Sequence, residues 1–130
     1  MSSHAKGTFE VKLTPQEQDE QAGGSKIGRL TIEKQFHGDL EGASKGHMLS
    51  ATTQVEGSAG YVAIERVSAT LQGRKGTFVL QHHATMSRGT PDLNIAVVPD
   101  SGADGLAGIT GKMTITIVEG KHFYEFDYSL

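Results

Sequence analysis

The chain has no cysteine, no tryptophan and only three prolines, and no apolar run in it approaches the ~20 residues that a membrane helix needs. Without cysteine there is no disulfide framework, no thiolate nucleophile and no zinc-thiolate site. A basic stripe is missing too. Twelve Lys and Arg are scattered among 15 Asp and Glu, for a formal charge of -3, so neither nucleic acid nor a membrane is expected as a partner. The opening Met1-Ser2-Ser3-His4-Ala5-Lys6-Gly7 is polar and lacks the apolar core of a signal peptide, which makes a cytoplasmic location the expectation.

What is present is glycine, 17 of them in 130 residues, with apolar residues recurring throughout. That combination fits many tight turns in one folded domain over residues 1–130, a size that buries roughly two-thirds of its unfolded surface. Period two dominates the pattern, as it does in strands with one buried face. Phe9, Val11 and Leu13 alternate with polar neighbours, and so do Leu30, Ile32 and Phe36. Between these runs, the polar and acidic Thr14 to Ser25 is long for a plain connection and is a candidate lid.

Tyr61, Ala63, Val67, Ala69 and Leu71 form a second run, and Phe78, Leu80, Ala84 and Met86 resume it after the turn Gln72 to Gly76. Pairing Leu71 with Gly76 makes a long hairpin. Another joins Met113, Ile115 and Ile117 to Tyr124, Phe126 and Tyr128 across Glu119-Gly120, with Val118 opposite Lys121 and Ile115 opposite Tyr124. A glycine-rich strand from Glu41 to Thr52 and another from Leu93 to Val98 bring the total to about eight. No helical period interrupts them. The expected fold is all-β, a single antiparallel β-barrel with an interior cavity, since closure removes exposed edges.

A faint echo of Leu40-Glu41-Gly42, Leu71-Gln72-Gly73 and Leu106-Ala107-Gly108, each followed by another glycine, fits repeated strand-turn units. Gly102, Gly105, Gly108 and Gly111 lie three apart, yet no Gly-Lys-Ser/Thr ending follows them. They read as turn and kink glycines rather than a phosphate cradle.

The segments Gly60-Tyr61-Val62-Ala63-Ile64-Glu65-Arg66, Gly73 to His82 and Val97-Val98-Pro99-Asp100-Ser101-Gly102 resemble a bacterial domain-of-unknown-function family, number 3224, and so do Gly38 to Gly42 and Leu106-Ala107-Gly108. The resemblance spans nearly the whole chain. It implies an allene oxide cyclase-like barrel, whose relatives include cyclases and isomerases acting on apolar molecules inside the barrel, and it implies no activity for the family itself. Asp100 and Ala103 depart from the family pattern, which tends to glycine and a threonine-like residue there.

Chemistry has one candidate centre. In the Tyr61 to Met86 hairpin, the Leu71–Gly76 pairing sets Glu65 opposite His82 on the apolar face, and a carboxylate beside an imidazole is an acid-base pair suited to isomerisation, elimination or ring closure. The same pair equally satisfies itself inside a folded core. A turn one residue different would substitute His83. Lys34 is in line with Leu30, Ile32 and Phe36 and stands either as an inward anion anchor or as a lysine snorkelling to water.

Tyr61, Phe78, Met86, Tyr124, Phe126 and Tyr128 lie on apolar parities, where they line a pocket for a flat apolar molecule or make ordinary core. The six histidines include no His-x-His on one strand face, so no metal is expected, and no cofactor is implied. No Gly-x-Ser-x-Gly elbow is present, which sets nucleophilic serine chemistry aside. Three functions stay open: a carrier or sensor of a small apolar compound, an isomerase, cyclase or lyase using Glu65 and His82, and a protein-interaction barrel working as a homo-oligomer.

Overall fold

The computed structural model describes residues 2–16 and 23–130, and every regular element in them is a strand. In chain order these are β1 (Ser2–Pro15), β2 (Lys26–Gly38), β3 (Leu40–Thr52), β4 (Ala59–Leu71), β5 (Arg74–Ser87), β6 (Thr90–Val97), β7 (Ala103–Asp104), β8 (Thr110–Val118) and β9 (Lys121–Ser129). All pairings are antiparallel. The sheet runs β4-β3-β2-β1-β9-β8-β6-β5, and the β4–β5 pairing closes it, so eight strands make a barrel and the two-residue β7 pairs with the start of β5.

Three turns share one geometry. Gln72-Gly73, Arg88-Gly89 and Glu119-Gly120 each place two consecutive residues at positive φ, between 46° and 89°. That is the turn whose twist matches the right-handed twist of paired strands, and glycine at its second position carries no steric cost. In the β8–β9 hairpin the expected register holds: Val118 faces Lys121, Ile115 faces Tyr124 and Met113 faces Phe126. The β4–β5 hairpin needs a correction. Leu71 pairs with Arg74 rather than Gly76, because the turn is the two-residue Gln72-Gly73. Glu65 is therefore opposite Leu80 and His82 opposite Ala63, an offset of two residues that leaves both on the same face.

The barrel has two unlike ends. One holds the Gly38-Asp39 and Gln72-Gly73 turns together with the 98–109 segment, and its interior is packed solid with Phe36, Leu40, Leu71, Phe78, Leu106, Ile109, Tyr124 and Phe126, all fully buried. At the other end inward-facing side chains are uncovered: Leu13, Met86 and Ile117 are between 43% and 62% exposed. The 98–109 segment is a plug, held by Gly105 N–H donating to the Lys75 carbonyl at 2.9 Å and by short turns that present Leu106 and Ile109 to the core. Within it Asp100 sits at φ 61°, the left-handed region that favours glycine. The expected lid runs from Thr14 to Ser25, and the strand ends that flank it, Pro15 of β1 and Lys26 of β2, lie at the uncovered end. Residues 17–22 of it lie outside the described residues, while Thr14 and Pro15 belong to β1.

Candidate functional site

Four consecutive strands each contribute one buried polar side chain to the barrel interior: Lys34 from β2, Ser44 from β3, Glu65 from β4 and His82 from β5. Strand alternation puts them there. Lys34 shares its parity with Ile32 and Phe36, Ser44 with Leu40 and Met48, Glu65 with Ala63 and Val67, and His82 with Leu80. All four are buried, Glu65 at 0% and His82 at 3% exposure.

The Glu65 carboxylate is the hub. Its Oε1 accepts from Lys34 Nζ at 3.0 Å and from His82 Nε2 at 2.8 Å, and its Oε2 accepts from Ser44 Oγ at 2.7 Å. Burial pushes this carboxyl up. The His82 hydrogen bond, the Lys34 and His82 charges and the Ser44 hydrogen bond outweigh burial and hold it down at about 2, so it is an anion at neutral pH. The Lys34 ammonium also lies 4.9 Å from the Phe9 ring centroid and 5.8 Å from that of Phe36, which stabilises a cation that water barely reaches.

The imidazole tautomer follows from its partner. An ionised carboxylate only accepts, so Nε2 of His82 carries the hydrogen and the neutral ring has its lone pair on Nδ1. That Nδ1 is buried and has no hydrogen-bond partner among the described residues. On the same wall, the half-buried Tyr61 tilts its ring 6.2 Å from that of His82. The nearby Glu65 charge adds to partial burial in raising the Tyr61 pKa, so its hydroxyl keeps its proton.

Of the residues read from sequence, the structure thus brings together Glu65, His82, Lys34 and Tyr61. His83 is on the outer face and exposed, so the parity of His82 decides between the two. Lys34 points inward rather than snorkelling, because Glu65 compensates its charge. Met86 is 43% exposed at the open end, away from the polar layer. Phe78, Phe126 and Tyr128 are stacked on one another in the packed half, Phe78 on Phe126 at 5.6 Å and Phe126 on Tyr128 at 5.3 Å between centroids.

Tyr124 is buried there as well, and its hydroxyl accepts from Leu40 N–H at 2.9 Å and donates to the His37 carbonyl at 2.9 Å. The Tyr128 hydroxyl donates to Gln72 Oε1, pinning the β4–β5 turn. Both hydroxyls are committed to turns at the packed end, so the tyrosines brace the fold rather than face a molecule entering at the other end. An interior cavity is accordingly excluded from the packed half.

Ser44 escaped the sequence reading. Its signal was partial: it lies on the inward parity of β3 with Leu40 and Met48, a parity that Ser50 and Thr52 share toward the open end. On the outer face, Ile27, Leu49, Val62 and Ile64 form an apolar patch across β2, β3 and β4, each about half exposed. Arg29, His47 and Gln81 border it in a depression of about 570 Å³.

Over residues 5–128 the sequence matches the family described as protein of unknown function, DUF3224. The chain belongs to that family. A crystal structure of a DUF3224 protein of unknown function from Shewanella oneidensis is 48% identical, covers 100% of this chain and 98% of its own, and superposes with a TM-score of 0.95. No curated protein matches. The likeness establishes family and fold, and the chemistry rests on the polar layer of this DUF3224 barrel.

Proposed function

We propose that the barrel takes up a small, largely apolar molecule through its open end and holds it against the Lys34, Ser44, Glu65 and His82 layer. One observation carries this reading: a buried imidazole nitrogen without a partner among the described residues, in a network whose other polar atoms are bonded. A buried polar atom left unpaired costs roughly 1–3 kcal/mol, a cost that a ligand group bonded to it would offset. The inner residues at this end, Val11, Leu30, Met48, Tyr61, Ala84, Leu93 and Ile115, supply apolar walls that are partly exposed.

Native mass spectrometry of the gently purified protein tests the reading together with titration by N-phenyl-1-naphthylamine, whose fluorescence rises in an apolar site. Saturable uptake of one probe per chain supports it. An unresponsive probe, with no co-purifying mass, leaves the network as a structural ion pair.

A second reading has its own support. Glu65 fixes the imidazole through Nε2 and leaves Nδ1 as a base, the division of labour found in acid-base catalysis. An isomerase, cyclase or lyase would use that nitrogen to move a proton on the bound molecule. Use as a homo-oligomer through the outer apolar patch is compatible with either reading.

A further inference from the structure

The polar layer also constrains which ligand it accepts. With the His82 ring neutral its charges already balance, one ammonium from Lys34 against one carboxylate from Glu65 at 3.0 Å. The three donors on Glu65 are a cation, a hydroxyl and an imidazole N–H, so both carboxylate oxygens are engaged, Oε1 twice and Oε2 once. Among the described residues the one polar atom of this layer without a partner is His82 Nδ1, and with Nε2 donating it is an acceptor in the neutral ring.

We infer that the molecule held in this barrel presents a neutral hydrogen-bond donor, a hydroxyl on an apolar or aromatic body, to His82 Nδ1, and that an anionic head group is disfavoured there. The inference rests on the interior-site reading above and adds the class of head group. A carboxylate has no hydrogen to give. To be received at Nδ1 it would need His82 to gain a proton, and received instead by the remaining N–H groups of Lys34 it would leave the layer one negative charge in excess. Each course buries additional charge in an interior where charges are costly. A hydroxyl meets neither obstacle, and Tyr61, whose ring faces His82, offers an aromatic surface for its body.

The test uses the whole chain and three fluorescent probes with one ring system: naphthalene, 2-naphthol and 2-naphthoate. At neutral pH 2-naphthol should bind roughly tenfold more tightly than naphthalene, the worth of one hydrogen bond to a buried acceptor, and 2-naphthoate no better than naphthalene. In His82→Phe the naphthol advantage should vanish while naphthalene still binds. Should that variant fail to fold, 15N spectra of wild-type histidine decide instead, with the Nδ1 resonance moving on addition of 2-naphthol and keeping a neutral-ring signature. Equal binding of naphthol and naphthalene, or tighter binding of naphthoate, overturns the inference while leaving an interior site in place. If none of the three binds, the interior-site reading itself fails and takes the inference with it.

Discussion

Gly46 stands directly opposite Glu65 in the β3–β4 pairing, and a Cβ on it would lie 2.1 Å from the Ile64 carbonyl oxygen and 2.6 Å from Glu65 Cα. Neither neighbour is a flexible chain end that could swing aside. The glycine therefore lets β3 close on β4 where the buried carboxylate must reach across to Ser44 and Lys34. Gly46→Ala should destabilise the protein by about 1–3 kcal/mol, the range of overpacked sites, and weaken probe binding as well. Urea denaturation and N-phenyl-1-naphthylamine titration check both outcomes; unchanged values for the two would show that β3 has slack here.

The depressed carboxyl of Glu65 makes stability depend on pH. Its folded pKa of about 2 lies below the ordinary 4.5, so between these values the unfolded chain binds more protons than the folded one. Stability contributed by Glu65 is therefore fully present above about pH 4.5 and is lost as pH falls toward 2, on the order of 3 kcal/mol over the window. Denaturation midpoints at a series of pH values should fall steeply there. In Glu65→Gln the slope should flatten, whereas an unaltered slope would assign the acid sensitivity to other carboxylates.

If the bound molecule is transformed, Glu65→Gln and His82→Gln should each lower turnover by ~100- to 10,000-fold with binding largely kept. Losing both should cost little more than the worse single loss, since the two act as a unit. Single-turnover rates on a proton-transfer substrate separate this from mere positioning, for which the losses would be far smaller.

Much of this was legible because strand alternation survives errors in register. The sequence predicts a longer β4–β5 turn than the chain forms, yet the slip is two residues, and an even slip keeps every side chain on its face. His82 and Glu65 were thus placed together for a sound reason with the wrong partners opposite each. The Glu119-Gly120 turn was read correctly because a glycine in second place leaves little freedom. Three features escaped. Ala5, fully buried, lies in a polar opening that reads as a tail until β9 pairs with it. Leu106 and Ile109 plug the barrel from a segment without alternation. Ser44 needed the Glu65 carboxylate in view, since a lone hydroxyl does not declare its face without a partner, whereas Lys34 is in line with Leu30, Ile32 and Phe36 and the Glu65 charge decides between its two readings.

Tyr124→Phe should leave probe binding intact and lower stability by about 1–3 kcal/mol. The variant keeps the ring in its core but deprives Leu40 N–H of its acceptor and the His37 carbonyl of its donor. Thermal melts and probe titration on the same sample read both effects. A loss of binding would mean that the packed end and the open end are mechanically linked.

The last prediction concerns the buried ion pair. Glu65→Leu removes the acceptor of three groups at once and strands the Lys34 ammonium, for which the Phe9 and Phe36 rings, 4.9 and 5.8 Å away, are the remaining support. Lys34→Met leaves the carboxylate its imidazole and hydroxyl donors. The first change should therefore cost more than the second, about 3–5 kcal/mol for a buried charge left without its counter-ion. Removing both partners together should recover much of that loss, because two buried charges then no longer need compensation, and the cycle should show coupling well above that of independent sites. Equilibrium denaturation of the four proteins measures it, and simple additivity would mean that the two groups do not interact in the folded state. The double variant also separates folding from function. Its barrel should stand, but His82 Nε2 has lost the carboxylate that fixes the ring, so the preference for 2-naphthol over naphthalene should fall even where naphthalene binds as before.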